Sequence, residues 1–265
     1  MMTMHQVLAV WSYELSRSMT LQRLALAGVL ALFPPVMLGL VTYYSRISHE
    51  APPIGVFFPF VLLFLVGIVC LLALLLWAST NVYSELEEKT WIYIASRPAG
   101  RIAMICGKYL AAASCAYAVC VVAITLCVAI GARHGVFADA VHSWLTLLLI
   151  FGLATLAYGA VFSLIGALFY RRAMVFSAGF IVLFEVILPN LPALISKFTV
   201  RYHVQELALR WMEWFLPTTE QEYRMIYPAL NPWLHGTALL LFVIGGVSIA
   251  CFVVVHRQFI TADET

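Results

Sequence analysis

Six apolar stretches of roughly 20 residues dominate this chain, near Leu24–Tyr44, Val56–Ala78, Ile102–Gly131, Trp144–Tyr170, Ala173–Leu188 and Trp233–Val255. A hydrocarbon core about 30 Å thick takes about 20 residues of α-helix to cross. Helices suit that medium because they satisfy their own backbone hydrogen bonds where no water can. The pattern therefore predicts an all-α polytopic membrane protein with six transmembrane helices. Composition closes off the soluble alternative. The chain is 63% hydrophobic and 11% charged, against about 45–50% and about 25% in an average soluble domain. Its mean hydropathy is +0.96. No water-soluble core of this size could hide that much apolar surface.

The spacing within the spans adds detail. Ile102–Gly131 would extend about 45 Å at 1.5 Å per residue, so it must tilt or begin outside the bilayer. Only Arg171-Arg172 separates the fourth span from the fifth, which calls for a tight turn. Gly152, Gly159 and Gly166 recur every seven residues and let another helix approach one face of the fourth span. The net charge is +2, with no basic arm or stripe to receive nucleic acid. Cys70, Cys106, Cys115, Cys120, Cys127 and Cys251 all fall in apolar stretches, where they read as small packing residues and not as a disulfide framework.

Basic residues set the expected orientation. With the N-terminus inside, the inner face holds Arg17, Arg23, Lys89, Arg97, Arg101, Lys108, Arg171, Arg172 and Arg257. The two short outer loops hold only Arg46 and Arg133, so both termini are predicted to be cytoplasmic, in a cell membrane of the bacterial inner-membrane type. Residues 1–265 read as a single domain with three parts outside the spans: a leader at 1–23, an inner loop at 79–101 and an outer segment at 189–232. The leader is too polar, and the first span too long, for a cleavable signal. Met4, Leu8, Trp11, Leu15 and Met19 recur in it at helical spacing, as in an amphipathic helix lying on the inner surface.

The inner loop reads SELEEKTWIYIASRPAGR from Ser84 to Arg101. A helix starting near Asn81 would carry Glu85, Glu87 and Glu88 near its positive end. Val82, Leu86 and Tyr93 share its apolar side, and Pro98 stops it. Such a helix offers a mechanical contact to a partner protein; a solvated charged loop that only sets topology is the competing reading. The order of acidic residues, Lys-Thr, an apolar run, Ser-Arg-Pro and Arg resembles the inner loop of permease subunits in the type-2 family of ATP-binding-cassette exporters. The family's acidic-x-Gly-Thr, Ser-x-Pro and Arg elements fall on Glu87-Glu88-Lys89-Thr90, Ser96-Arg97-Pro98 and Arg101, with Lys89 where many members have glycine. YELSRS, Tyr13 to Ser18, is similar to the surface helix of these permeases. The resemblance implies a transport function, a separate ATP-binding-cassette ATPase subunit that binds the ATP, and a second permease copy or homologous permease. It also implies that Glu85, Glu87, Glu88, Lys89, Thr90, Arg97, Pro98 and Arg101 form the ATPase-coupling element.

The outer segment predicts two short amphipathic helices. Val200, Val204, Leu207, Trp211 and Phe215 keep helical spacing, with Arg201, Gln205, Glu206, Arg210 and Glu213 on the remaining face. Thr219 and Glu222 have capping-box spacing for the second helix. Glu185 is the one acidic residue within a span and a candidate for the transport pathway, with local hydrogen bonding near Asn190 or Lys197 as the alternative.

Little else points to chemistry. None of the seven histidines are paired within one span, as bis-histidine haem ligation would want. His49-Glu50 meets Pro53 where a zinc-protease motif needs its second histidine. There is no GxSxG element, and Gly107-Lys108 lacks a phosphate loop. The chain is expected not to be an enzyme and to need no cofactor of its own. The alternative is a membrane-integral enzyme or the membrane anchor of a redox complex.

Overall fold

The computed structural model describes residues 4–47, 54–79, 81–87, 100–137, 139–188, 196–212 and 231–257. Among them every regular element is helical. The order is α1 (Met4–Ser18), α2 (Leu21–Ile47), α3 (Ile54–Trp77), α4 (Asn81–Glu87), α5 (Gly100–Arg133) and α6 (Ala140–Leu168). A 3-10 turn at Tyr170–Arg172 leads into α7 (Ala173–Phe180), which runs straight on into a π-helix at Ile181–Ile187. A second 3-10 turn, Ser196–Phe198, precedes α8 (Val200–Trp211), and α9 (Pro232–His256) follows.

Among the described residues five helices, α2, α3, α5, α6 and α9, are long and apolar enough to cross a membrane. The protein is a multi-pass membrane protein on that ground. The expected fifth span, Ala173–Leu188, is helical over Ala173–Ile187. Its continuous helix, Ala173–Ile187, would extend about 22 Å at α-helical rise, less than the hydrocarbon thickness of about 30 Å. A tight turn at Tyr170–Arg172 separates it from α6, as the Arg171-Arg172 boundary predicts. Arg172 N–H donates to the Phe169 carbonyl at 2.9 Å, and the Phe169 and Phe176 rings stack across the turn at 4.0 Å.

Helix starts follow local chemistry. Asp139 Oδ1 accepts from the backbone N–H of Val141 and His142 at 2.9 and 3.1 Å, capping α6. Thr199 caps α8 through Tyr202 N–H. Asn231 caps α9, with Pro232 in the first turn where its missing N–H costs nothing.

The core lies where α3, α5 and α6 meet, with Leu62, Val66, Leu74, Ile124, Phe151 and Phe162 fully buried. The three glycines of α6 make that approach possible. The Tyr117 ring lies over Gly152, 3.4 Å from where a Cβ would stand, and the Tyr109 ring lies 3.3 Å from the corresponding point of Gly159. Both tyrosines of α5 then donate to α6 carbonyls, Tyr109 to Leu156 at 3.0 Å and Tyr117 to Leu148 at 3.2 Å. A buried hydroxyl in an apolar surrounding needs such a partner. At Gly166 the neighbour is backbone, the Ser79 carbonyl at the end of α3. By contrast α2 and α9 show apolar side chains outward, among them Val29 at 67% and Leu241 at 69% exposure. That is a surface for lipid or for another protein, not for water.

The leader helix α1 packs along α5. Trp11 Nε1 donates to Ser114 Oγ at 3.2 Å, and Val10 sits directly over Gly107. Val7 is buried in this contact while Met4 and Leu8 are exposed. The apolar stripe expected to define the helix is thus split between α5 and the outside.

Candidate functional site

Two polar constellations stand inside this apolar bundle, one at each end. The first joins α1, α4 and α5. Lys108, about two turns into α5, is 3% exposed and points its ammonium at Glu85 of α4, 2.6 Å from Oε1. The same nitrogen donates to Ser84 Oγ at 2.9 Å and lies 3.3 Å from Glu14 of α1. Arg17 approaches Glu14 and Glu85 at 3.9 and 4.0 Å. Two carboxylates therefore face two cations, with Lys108 and Glu85 buried and Arg17 partly exposed. Beside them lies a space of about 40 Å³ bounded by Trp77, Asn81 and Arg23, with room for a bridging water.

This cluster corrects the picture of the inner loop. α4 begins at Asn81, as its spacing predicts, but has no acidic residue in its first turn. Glu85 is 5% exposed and does not share an outer acidic face with Glu87, which is exposed. The reason is Lys108: a lone ammonium inside an apolar helix draws the nearest carboxylates to itself. Its place in the apolar run was the available signal, since an ionisable residue there needs a partner. Arg101 donates to the Val255 carbonyl at 2.9 Å, tying the start of α5 to the end of α9. Arg257 closes the same end through the Ala167 carbonyl of α6. Glu88, Lys89, Thr90, Arg97 and Pro98 lie outside the described residues.

The second constellation surrounds Glu185 on the π-helix. Leu63, Ile68 and Leu71 of α3, Phe151 of α6 and Leu209 of α8 wall a cavity of about 460 Å³ that Glu185 also lines. Glu185 is 5% exposed. Tyr158 of α6 lines the same cavity, and Arg201 donates to the Glu185 main-chain carbonyl. Oε1 has no hydrogen-bond partner among the described residues. An unsatisfied buried oxygen costs about 1–3 kcal/mol. Runs of π-helix are rare and concentrate where function needs an irregular backbone. Of the two local partners the sequence offered Glu185, Asn190 lies outside the described residues, and the nearby cation is Arg201.

Sequence spacing alone missed a third contact, between α8 and α9. His203 and His235 are 32 residues apart in sequence, yet their Nδ1 atoms stand 3.0 Å apart. Each imidazole spends that nitrogen on the other, one donating and one accepting. Glu206, expected on a polar outer face, is instead 1% exposed and held by Arg210 at 3.1 Å. α8 is therefore docked and not merely interfacial: it packs on both α6 and α9. Phe215, Glu213, Thr219 and Glu222 lie outside the described residues.

His203 lies beyond the membrane-spanning helices. Burial pushes its pKa down to about 4, and the neighbouring His235 pushes the same way. The Lys197 backbone and Glu206 oppose the shift. A histidine with a folded pKa below the usual 6.5 binds its proton more readily in the unfolded state. Its contribution to stability is full above about 6.5 and declines as the pH falls towards 4. The melting temperature of detergent-purified protein should fall between pH 7 and pH 5, and His203→Phe should make that fall shallower. An unchanged slope in the variant would mean that His203 does not carry the effect.

No family model matches the chain, and no curated protein matches it. Among the described residues, no group of three or more His, Cys, Asp or Glu could hold a metal ion.

Proposed function

We propose that this chain is the membrane-spanning permease subunit of an ATP-binding-cassette exporter, working with a separate ATPase subunit and a second permease. The observation that carries the proposal is the ion cluster of Glu14, Arg17, Glu85 and Lys108. It welds the leader helix and α4 to the long helix α5 at the base of the loop with the exporter-like Glu-Glu-Lys-Thr and Ser-Arg-Pro elements. A push on that loop would reach the helix bundle through α4 and α5 without being absorbed by a flexible joint. Closure of the ATPases supplies the push, and re-packing of helices is the response. In this reading the cluster end faces the cytoplasm, both termini lie there, and α7 with its π-helix forms part of the fifth of six crossings. Short helices between the fifth and sixth crossings shape the outer side. Glu87 and Glu88 supply the surface carboxylates for the ATPase, and Glu85 transmits from inside.

Removing one member of a partly buried interfacial ion pair costs about 2–5 kcal/mol, which is tenfold or more in affinity. Charge reversal at both Glu87 and Glu88 is expected to reduce co-purification of a phosphate-loop ATPase at least tenfold, while the protein still inserts. Reversal at Glu220 and Glu222, on the other side of the membrane, should leave it unchanged. An impermeant thiol reagent applied to intact cells should label a cysteine placed at Glu220 and spare one placed at Glu88. Equal ATPase recovery in both pairs, or the reverse labelling pattern, would refute the coupling assignment.

A further inference from the structure

We propose that the cavity beside Glu185 binds an uncharged, largely apolar molecule that presents one hydrogen-bond donor, an alcohol-type head, to Glu185 Oε1. That this molecule is the transported substrate rests on the exporter reading; the binding site itself is built by this chain alone.

Size comes first. About 460 Å³ lies within the range of small-molecule pockets, and such pockets are mostly apolar with a few placed polar groups. The walls described above are apolar, so the body of the ligand is apolar too. The polar groups gather at one side: Glu185, Tyr158, Arg201 and Gln205. Oε1 is the atom that wants something. It is buried and lacks a partner among the described residues, and a carboxylate oxygen accepts. The ligand's head therefore donates.

Charge narrows the class further. An anionic head would set its own acceptors against the Glu185 carboxyl. A cationic head would stand beside the Arg201 guanidinium, which donates to the Glu185 main chain and acts electrostatically on its carboxyl. In a medium of low dielectric, either like-charge contact is costly. A neutral hydroxyl avoids both and satisfies the orphan oxygen.

The test uses purified full-length protein in nanodiscs of zwitterionic lipid, with empty nanodiscs as the partition control. Four probes share one apolar body and differ only in the head: pyrenebutanol, pyrenebutylamine, pyrenebutyrate and butylpyrene. Tryptophan-to-pyrene energy transfer reads saturable binding. Pyrenebutanol is expected to bind about tenfold tighter than butylpyrene, the scale of one buried acceptor satisfied, and tighter than either charged probe. Glu185→Leu should abolish that preference while butylpyrene still binds, and Glu185→Gln, which keeps a carbonyl acceptor, should retain most of it. Gly67 lines the cavity, and a Cβ there would meet nothing within 4 Å. Gly67→Phe should therefore fill the cavity and abolish saturable binding of all four probes. Equal affinity for pyrenebutanol and butylpyrene, tighter binding of the amine or the carboxylate, or indifference to Gly67→Phe would each overturn the proposal. If Glu185→Leu does not fold, the wild-type ranking and Gly67→Phe still decide. No ATPase is present in this assay, so the site can stand where the exporter reading fails, and the reverse.

Discussion

Lys108→Met should be the most damaging single substitution at the cluster end of the bundle. The change keeps the length of the side chain and removes the charge that holds Glu85 at 2.6 Å and Glu14 at 3.3 Å. Arg17 stands too far out to replace it, at 3.9 and 4.0 Å from the two carboxylates and 31% exposed. Breaking a buried ion pair by removing one partner costs about 3–5 kcal/mol, because a desolvated charge is left behind. The expected result is a large drop in melting temperature and in monodisperse yield by size-exclusion chromatography. Lys108→Met combined with Glu85→Gln should recover much of the loss, since the stranded charge is then gone. Wild-type stability in the single variant would mean that water already solvates these carboxylates. On the exporter proposal, the double variant also separates folding from coupling: a stable bundle with a loosened α4 should leave ATP hydrolysis by the proposed partner intact and lose transport.

The second large effect is expected at Gly166, where the obstacle is backbone. A Cβ there would lie 2.7 Å from the Ser79 carbonyl oxygen, and no rotamer change can relieve that contact. Gly166→Ala should force α6 away from the end of α3 at a cost of about 1–3 kcal/mol, typical of overpacking. Gly39 on α2 is the matched control, because a Cβ there meets nothing within 4 Å. Gly39→Ala should be neutral or should stabilise by up to about 1 kcal/mol through helix propensity. Comparing the two melting temperatures removes any general effect of glycine replacement. A fall of equal size in both variants would show that the seam along α6 is not close-packed.

The two ends of the bundle differ in how they answer the same physical problem. At the cluster end, buried charges are paired almost completely. At the other end Glu185 keeps one oxygen unsatisfied beside a cavity, while His203 and His235 share a single hydrogen bond. Paired charges hold a joint together, and an unsatisfied acceptor beside a cavity leaves a place for something else to bind.

Apolar run length alone determined the helical class, the membrane setting and the approximate bounds of five spanning helices, because a bilayer imposes one length and one backbone solution. The seven-residue glycine spacing on α6 was equally legible, since a helix returns to the same face after two turns. Local signals also set the start of α4 at Asn81, and apolar spacing from Val200 set the course of α8. Tertiary structure decided everything that depends on partners distant in the chain. Glu85 reads as one of three carboxylates near the start of a helix until Lys108 of α5 and Glu14 of α1 are seen to surround it. Glu206 reads as a solvated helix face until α8 is found docked on α6 and α9. His203 and His235 meet only because α8 folds back on the start of α9. Glu185 stands out in sequence as an intramembrane carboxylate, but its cavity exists only because a π-helix, α3, α6 and α8 converge there. Periodicity reports which side of a helix is apolar; it carries no information on which neighbour that side, or a charge beside it, will find.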